Sequence, residues 1–255
     1  MRKLVALGGA LLVAGVLAAV AYAQGSNNQY AVQGDVSPAR SASKAKPLPV
    51  QLKFSFQVKS ATGGRPAPIK TYSIGFYGGT SNGGPFPKCS AAKINAAQSD
   101  AGCPKGSKVG EGKVINVAGS TSDPSDTSIP CNLDLTIYNA GVNRAALYLD
   151  GTPPDCVIGI HQALDAKFVS AFGGKGQALQ FDVPANLLHP ISGLDNAQSD
   201  ITSTIDKITK KVHGKTVGYF QITQKCPKNH KAPVEVTFTT EDGNSQKASD
   251  DITCR

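Results

Sequence analysis

The 255-residue chain has no tryptophan, one methionine, and only three glutamates: Glu111, Glu235 and Glu241. Each shortage removes a class of function. Sugar rings stack on broad aromatic surfaces, so the missing tryptophan weakens a carbohydrate platform. Glycoside hydrolysis usually needs two acids facing each other across a cleft. Asp134 and Glu235, the acids on offer, stand at outward positions of strand-like patterns, where carboxylates serve solubility. There is no Gly-x-Ser-x-Gly elbow. Cys-x-x-Cys is absent and the four histidines lie far apart, so zinc-ligand spacing is missing; Cys226-Pro-Lys-Asn-His230 is the nearest approach. "SDPSDTS" and "EDGNSQ" carry oxygen ligands without the spacing of a twelve-residue calcium loop. Aromatics make up 6% of the chain and no basic helix is visible, which argues against nucleic-acid binding. No catalytic set, metal site or cofactor motif emerges.

One stretch imitates a phosphate cradle. "CPKGSKVGEGKV", Cys103 to Val114, is rich in glycine and lysine. A Walker loop needs Gly, four residues, then Gly-Lys-Ser/Thr. Here Glu111 stands where the second glycine is required, and Val114 follows Lys113. The stretch reads instead as a strand entered from a disulfide-tethered turn. Gly110 and Gly112 share one face, where another backbone or a large side chain must come close.

What is present points outside the cytoplasm. Arg2 and Lys3 precede an apolar run, Leu4 to Val20, and Ala21-Tyr22-Ala23 supplies a small-x-small site. These features predict a signal peptide over 1–23, cleaved after Ala23, with an uncleaved anchor as the alternative. No later segment is apolar enough to span a membrane. Removing the leader lowers the formal net charge from +8 to +6, with lysines scattered rather than clustered. That charge suits weak attraction to anionic envelope polymers. Cys89, Cys103, Cys131, Cys156, Cys226 and Cys254 form an even set behind a leader, as expected of three disulfides in an oxidising space. Fifteen connectivities are formally possible. Sequential pairing is expected, each bridge stabilising by roughly 3 to 3.6 kcal/mol.

Period-two alternation dominates. In "VQLKFSFQVK", Val50, Leu52, Phe54, Phe56 and Val58 point one way and polar residues the other. "QYAVQGDV", "IKTYSIGFYG", "CNLDLTIYNAG", "IHQALDAKFV", "ALQFDVP" and "PVEVTFTTEDGNSQ" repeat the pattern, the last turning at Asp242-Gly243. Clusters of Gly, Pro, Ser and Asn separate them. "SDITSTIDKITKKVHG" has isoleucines at helical spacing, but its β-branched density favours a strand. "SAAKINAAQSDAG" suits a turn or two of helix. The fold class expected is all-β: an antiparallel sandwich, jelly-roll-like or immunoglobulin-like, of about ten strands with long loops. It would occupy 29–255 as one domain after a frayed 24–28.

Candidate sites are few. His161 lies in a strand pattern, His213 at a turn and His230 on a lysine-rich loop. The most unusual segment is the apolar loop Pro184 to Asn196, which carries His189, Asp195 and Asn196. It is the place to look for a ligand, unless it only buries Leu187, Leu188 and Ile191 over one end of the fold.

The blocks "KCSAAKINAAQSDAGCPKGSKVGEGK", "CNLDLTIYNAG", "LQFDVPANLLHPISGLDNA" and "STIDKITKKVHGKTVGYF" resemble those of an uncharacterised family of secreted proteins from soil actinobacteria. The resemblance runs from about Tyr30 to Cys254. It implies a signal-bearing, disulfide-containing β protein and no particular activity. The sequence therefore favours a non-catalytic extracellular or cell-envelope module that binds or builds. The competing reading is a secreted hydrolase acting on an extracellular polymer, through His189 with Asp195 or Glu235 with Asp134.

Overall fold

The computed structural model describes residues 23–24 and 27–255. In chain order the elements are β1 (Ala23–Gln24), β2 (Asn28–Ser37), β3 (Leu48–Pro49), β4 (Gln51–Ser60), β5 (Ile69–Tyr77), β6 (Gly79–Ser81) and α1 (Ala91–Ala97). There follow β7 (Lys108–Ser120), β8 (Ile129–Gly141), β9 (Arg144–Gly151), β10 (Ile160–Ala171), β11 (Gly176–Asp182), α2 (Ala185–Leu188) and β12 (Leu194–Ile205). The chain finishes with β13 (Thr209–Val212), β14 (Lys215–Gly218), β15 (Phe220–Ile222), β16 (Lys231–Thr240) and β17 (Ser245–Thr253).

The alternating segments all became strands because each buries one face, as Leu52, Phe54, Phe56 and Val58 do along β4. The expected antiparallel all-β class is what the structure shows, with one large sheet in place of a visible sandwich. A single antiparallel sheet runs β1-β2-β4-β12-β7-β8-β9-β10-β11-β5-β16-β17. It curls until its two edges face each other, and there the Gly34 amide donates to Asp250 Oδ2 at 3.1 Å. The result is a nearly closed, barrel-like wall around one continuous apolar core. Tyr30 stacks on Phe238 with ring centroids 4.3 Å apart, Phe56 meets Phe238 edge-on at 5.2 Å, and Tyr72 stacks on Phe181 at 5.0 Å. Such pairs add about 0.5–1.5 kcal/mol each beyond burial.

The ambiguous isoleucine segment is strand on both sides of a break: β12 ends at Ile205 and β13 starts at Thr209. Ile201 and Ile205 sit opposite Phe56 and Leu52, which explains the four-residue spacing without a helix. Ser90 caps α1 by accepting from the Lys93 amide, and Ala91 and Ile94 pack on Tyr138, Ala146, Tyr148 and Ala163 of the outer wall.

One end of the wall is plugged. β15 lies between β3 and β6 in a small separate sheet. It drives Phe220 edge-on against Phe76, while its neighbour Tyr219 meets Phe86; both plug residues are 1% exposed or less.

Disulfides join Cys89 to Cys103, Cys131 to Cys156 and Cys226 to Cys254, the sequential pairing. No described cysteine is free. Three bridges fit a chain folded in an oxidising, extracellular-type environment. The expected leader lies outside the described residues except for Ala23, which with Gln24 pairs with Tyr30 and Gln29. Asn28, expected to fray, is 1% exposed, and its side-chain amide holds both the N–H and the carbonyl of Ala67. β2 therefore begins at Asn28. Among the described residues no helix is long and apolar enough to cross a membrane.

The cradle-like stretch is the turn and first half of β7, tethered through Cys103. A Cβ at Gly110 would sit 2.2 Å from Thr204 O, and one at Gly112 would sit 2.1 Å from Thr202 O. The close neighbour is the backbone of β12, and only glycine lets the two strands approach so closely where the sheet curls.

Candidate functional site

Two concave features stand out. An open groove of about 1080 Å³ crosses the outer face of β2, β4, β12, β7 and β8. Its charges are of both signs and largely spent on each other: Lys113 meets Asp134 at 2.6 Å and Lys108 meets Glu111 at 2.7 Å. The second feature is an internal cavity of about 60 Å³ at the end opposite the plug. Strands β5, β7, β8, β9, β10 and β12 wall it, with Phe181 of β11, and Leu187 and Leu188 of α2 roof it.

The roof belongs to the loop that the sequence singles out. Pro184 opens α2, whose four residues are too few to stand without tertiary support. Leu187 and Leu188 are buried as expected, but Ile191 is not; it is 59% exposed, beyond the rim. Three side-chain contacts hold the roof, one of them Asn186 Nδ2 donating to Gln162 Oε1 of β10 at 2.8 Å. From inside, Asn196 Nδ2 donates to Leu187 O at 2.8 Å. From outside, His189 is clamped between carboxylates, with Nδ1 3.0 Å from Asp195 Oδ1 and Nε2 2.8 Å from Glu241 Oε2.

His189 and Asp195 are thus brought together, and residues the sequence did not nominate complete the cluster. Arg65, its side chain 3% exposed, donates to Asp195 Oδ2 at 3.2 Å and to the carbonyls of Asp126 and Ser120. Thr121 Oγ1 donates to Asp195 Oδ1 at 2.9 Å. With His189 protonated, the order Glu241, His189, Asp195, Arg65 alternates in charge. Partial burial pulls the His189 pKa down, but hydrogen bonds to Asp195 and Glu241 and their charges outweigh it and leave the value raised. Burial pushes Asp195 up, but Thr121, His189 and Arg65 outweigh that and leave its carboxyl lowered.

As placed, the cluster fastens the roof: both ring nitrogens of His189 are engaged, one by Asp195 and one by Glu241. The other nominated pair is not assembled: Asp134 on β8 and Glu235 on β16 are separated by β9, β10, β11 and β5 and bind Lys113 and Lys247. His161 pairs with Asp150 at 2.6 Å, and His230 lies 3.2 Å from Cys254 O. Among the described residues no group of three or more His, Cys, Asp or Glu is placed to hold a metal.

Asn196, the third nominated residue, faces the cavity with Gln198, Asn116 and Tyr72. Tyr72 is fully buried; burial pushes its phenol far up, so it stays protonated and donates to Gln198 Oε1 at 2.7 Å. Gln198 and Tyr72 were missed as site residues. A signal existed: along β12 the alternate positions Leu194, Asn196 and Gln198 turn from apolar to amide while still facing inward.

No family model and no curated protein matches the chain. Among solved structures it is similar to one described as "AvmM Catalyzes Macrocyclization in Alchivemycin A Biosynthesis", at 8% identity, over 92% of this chain and 96% of that one. The TM-score is 0.25, a value at which neither fold nor activity carries across.

Proposed function

We propose that the protein works outside the cytoplasm, secreted or associated with the cell envelope, as a non-catalytic binding module. It takes a small ligand into the roofed end of the wall. The observation that carries this reading is the internal cavity, which has an apolar wall, a roof built from a short loop element, and buried amide atoms with no partner. Ligand sites are typically concave and mostly apolar, with a few placed polar groups. The three disulfides support the location, and the resemblance to secreted actinobacterial proteins agrees with it.

Mapping amide chemical shifts of the disulfide-intact chain against a library of small neutral molecules tests the reading. Saturable shifts at Leu187, Asn196 and Gln198 are expected. A library that moves none of them, up to millimolar concentration, overturns it.

The hydrolase reading retains one favourable observation, the 3.0 Å contact of His189 with Asp195. Polymer cleavage that disappears in both His189→Gln and Asp195→Asn would establish it in place of the binding reading.

A further inference from the structure

The cavity wall has a polar side with a definite sense. Asn196 is 4% exposed. Its Nδ2 donates to Leu187 O, and because a carbonyl oxygen only accepts, this bond fixes which way the amide faces. Oδ1 is left buried with no partner. Two residues along the same inward face, Gln198 accepts from Tyr72 through Oε1, and its Nε2 is left buried with no partner. A buried polar group left unmet keeps its full desolvation cost. Native cores carry few such groups and rarely without a reason. Here one acceptor and one donor are left over side by side on one strand and line the same cavity.

The geometry points to a ligand of definite chemistry: a small neutral amphiphile whose head accepts a hydrogen bond from Gln198 Nε2 and donates one to Asn196 Oδ1. A primary amide, a lactam or an alcohol on a short apolar body meets this description. The inference rests on the reading above that the cavity binds a ligand, and it adds the chemical class. A carboxylate has no proton for Asn196 Oδ1. An ammonium has no acceptor for Gln198 Nε2. The lining contains no Lys, Arg, His, Asp or Glu to offset either charge, and an unpaired ion in an apolar wall is strongly disfavoured. The space of about 60 Å³ restricts the body to a few carbons while α2 stays in place.

Three probes small enough for this space test the inference on the full disulfide-bonded chain: acetamide, acetate at neutral pH, and xenon. Acetamide should shift the side-chain NH₂ signals of Asn196 and Gln198 saturably and bind at least about ten-fold more tightly than acetate. Gln198→Leu in a Tyr72→Phe background replaces both partners of the internal hydrogen bond and so preserves the fold. It should weaken acetamide about ten-fold while leaving xenon binding intact. Equal affinity for amide and carboxylate, or undiminished amide binding in the double variant, overturns the proposed head group and leaves the cavity a binding site. If xenon and acetamide both fail to enter, the binding reading itself is lost and the space holds water alone.

Discussion

The two ends of the β wall are closed by opposite means. At the plugged end the backbone does the work: Val50 N–H donates to Phe220 O at 3.2 Å, Asn82 N–H to Tyr219 O at 2.7 Å and Tyr219 N–H to Ile208 O at 2.9 Å, so two buried aromatic rings are pinned in place. At the roofed end a single helical turn rests on two leucines, held by the Asn196 amide inside and, outside, by the Asn186–Gln162 contact and by His189 between two carboxylates. The first closure rests on repeated backbone hydrogen bonds around two buried rings and leaves about 30 Å³ beside Phe220. The second is sparser, polar at its rim, and leaves about 60 Å³ beneath it. On the proposed reading, stability and binding fall to opposite ends, and the loop that looks least regular in sequence is the one with more space beneath it.

The sharpest test of this division is Phe220→Ala, which should cost about 4 kcal/mol in urea unfolding with the disulfides intact, because a pinned end collapses poorly. Arg65→Ala should come next, at about 3 kcal/mol by the same measurement, because it strands Asp195 and two backbone carbonyls. Leu187→Ala should cost only about 2 kcal/mol, since the space beneath it already exists and little further packing is lost. A Leu187 loss as large as that of Phe220 would erase the distinction between the ends.

The smallest effect is in pH. His189, with its value raised, adds stability that is complete below 6.5 and fades as pH rises through its folded value. Asp195, lowered, adds stability that is complete above 3.8 and fades as pH falls through its folded value. The fastening is whole between these limits. Comparing urea midpoints at pH about 5 and about 8.5, His189→Ala should lose less on the alkaline side than the parent chain. An unchanged difference would remove the histidine from the roof's support.

The strands were legible because one buried face writes itself into the sequence with period two. Their order was not, since alternation says which side is inward and nothing about which strand lies beside which. A curled single sheet and two stacked sheets share the same pattern. The bridges were legible because short loops favour near neighbours. The candidate loop was legible from its apolar content and its His189, Asp195 and Asn196. The residues that complete it were hidden by distance: Arg65 lies 130 positions from Asp195, Thr121 lies 74, and Glu241 lies 52 from His189. Gln198 was hidden for another reason, because a glutamine in a strand reads as solvent-facing until the Ser199 bulge and the curl of the wall are known.

The seam between β2 and β17 sets a timetable. Gly34 and Asp250 meet across 216 positions of chain. A polypeptide delivered from its N-terminal end therefore presents the edge of β2 long before the strand that shields it has arrived. Open edges recruit other chains, and pairings of such long separation form slowly. The interval between the arrival of β2 and that of β17 is when this protein is most exposed to misassembly. The side-chain contact at Asp250 marks its end.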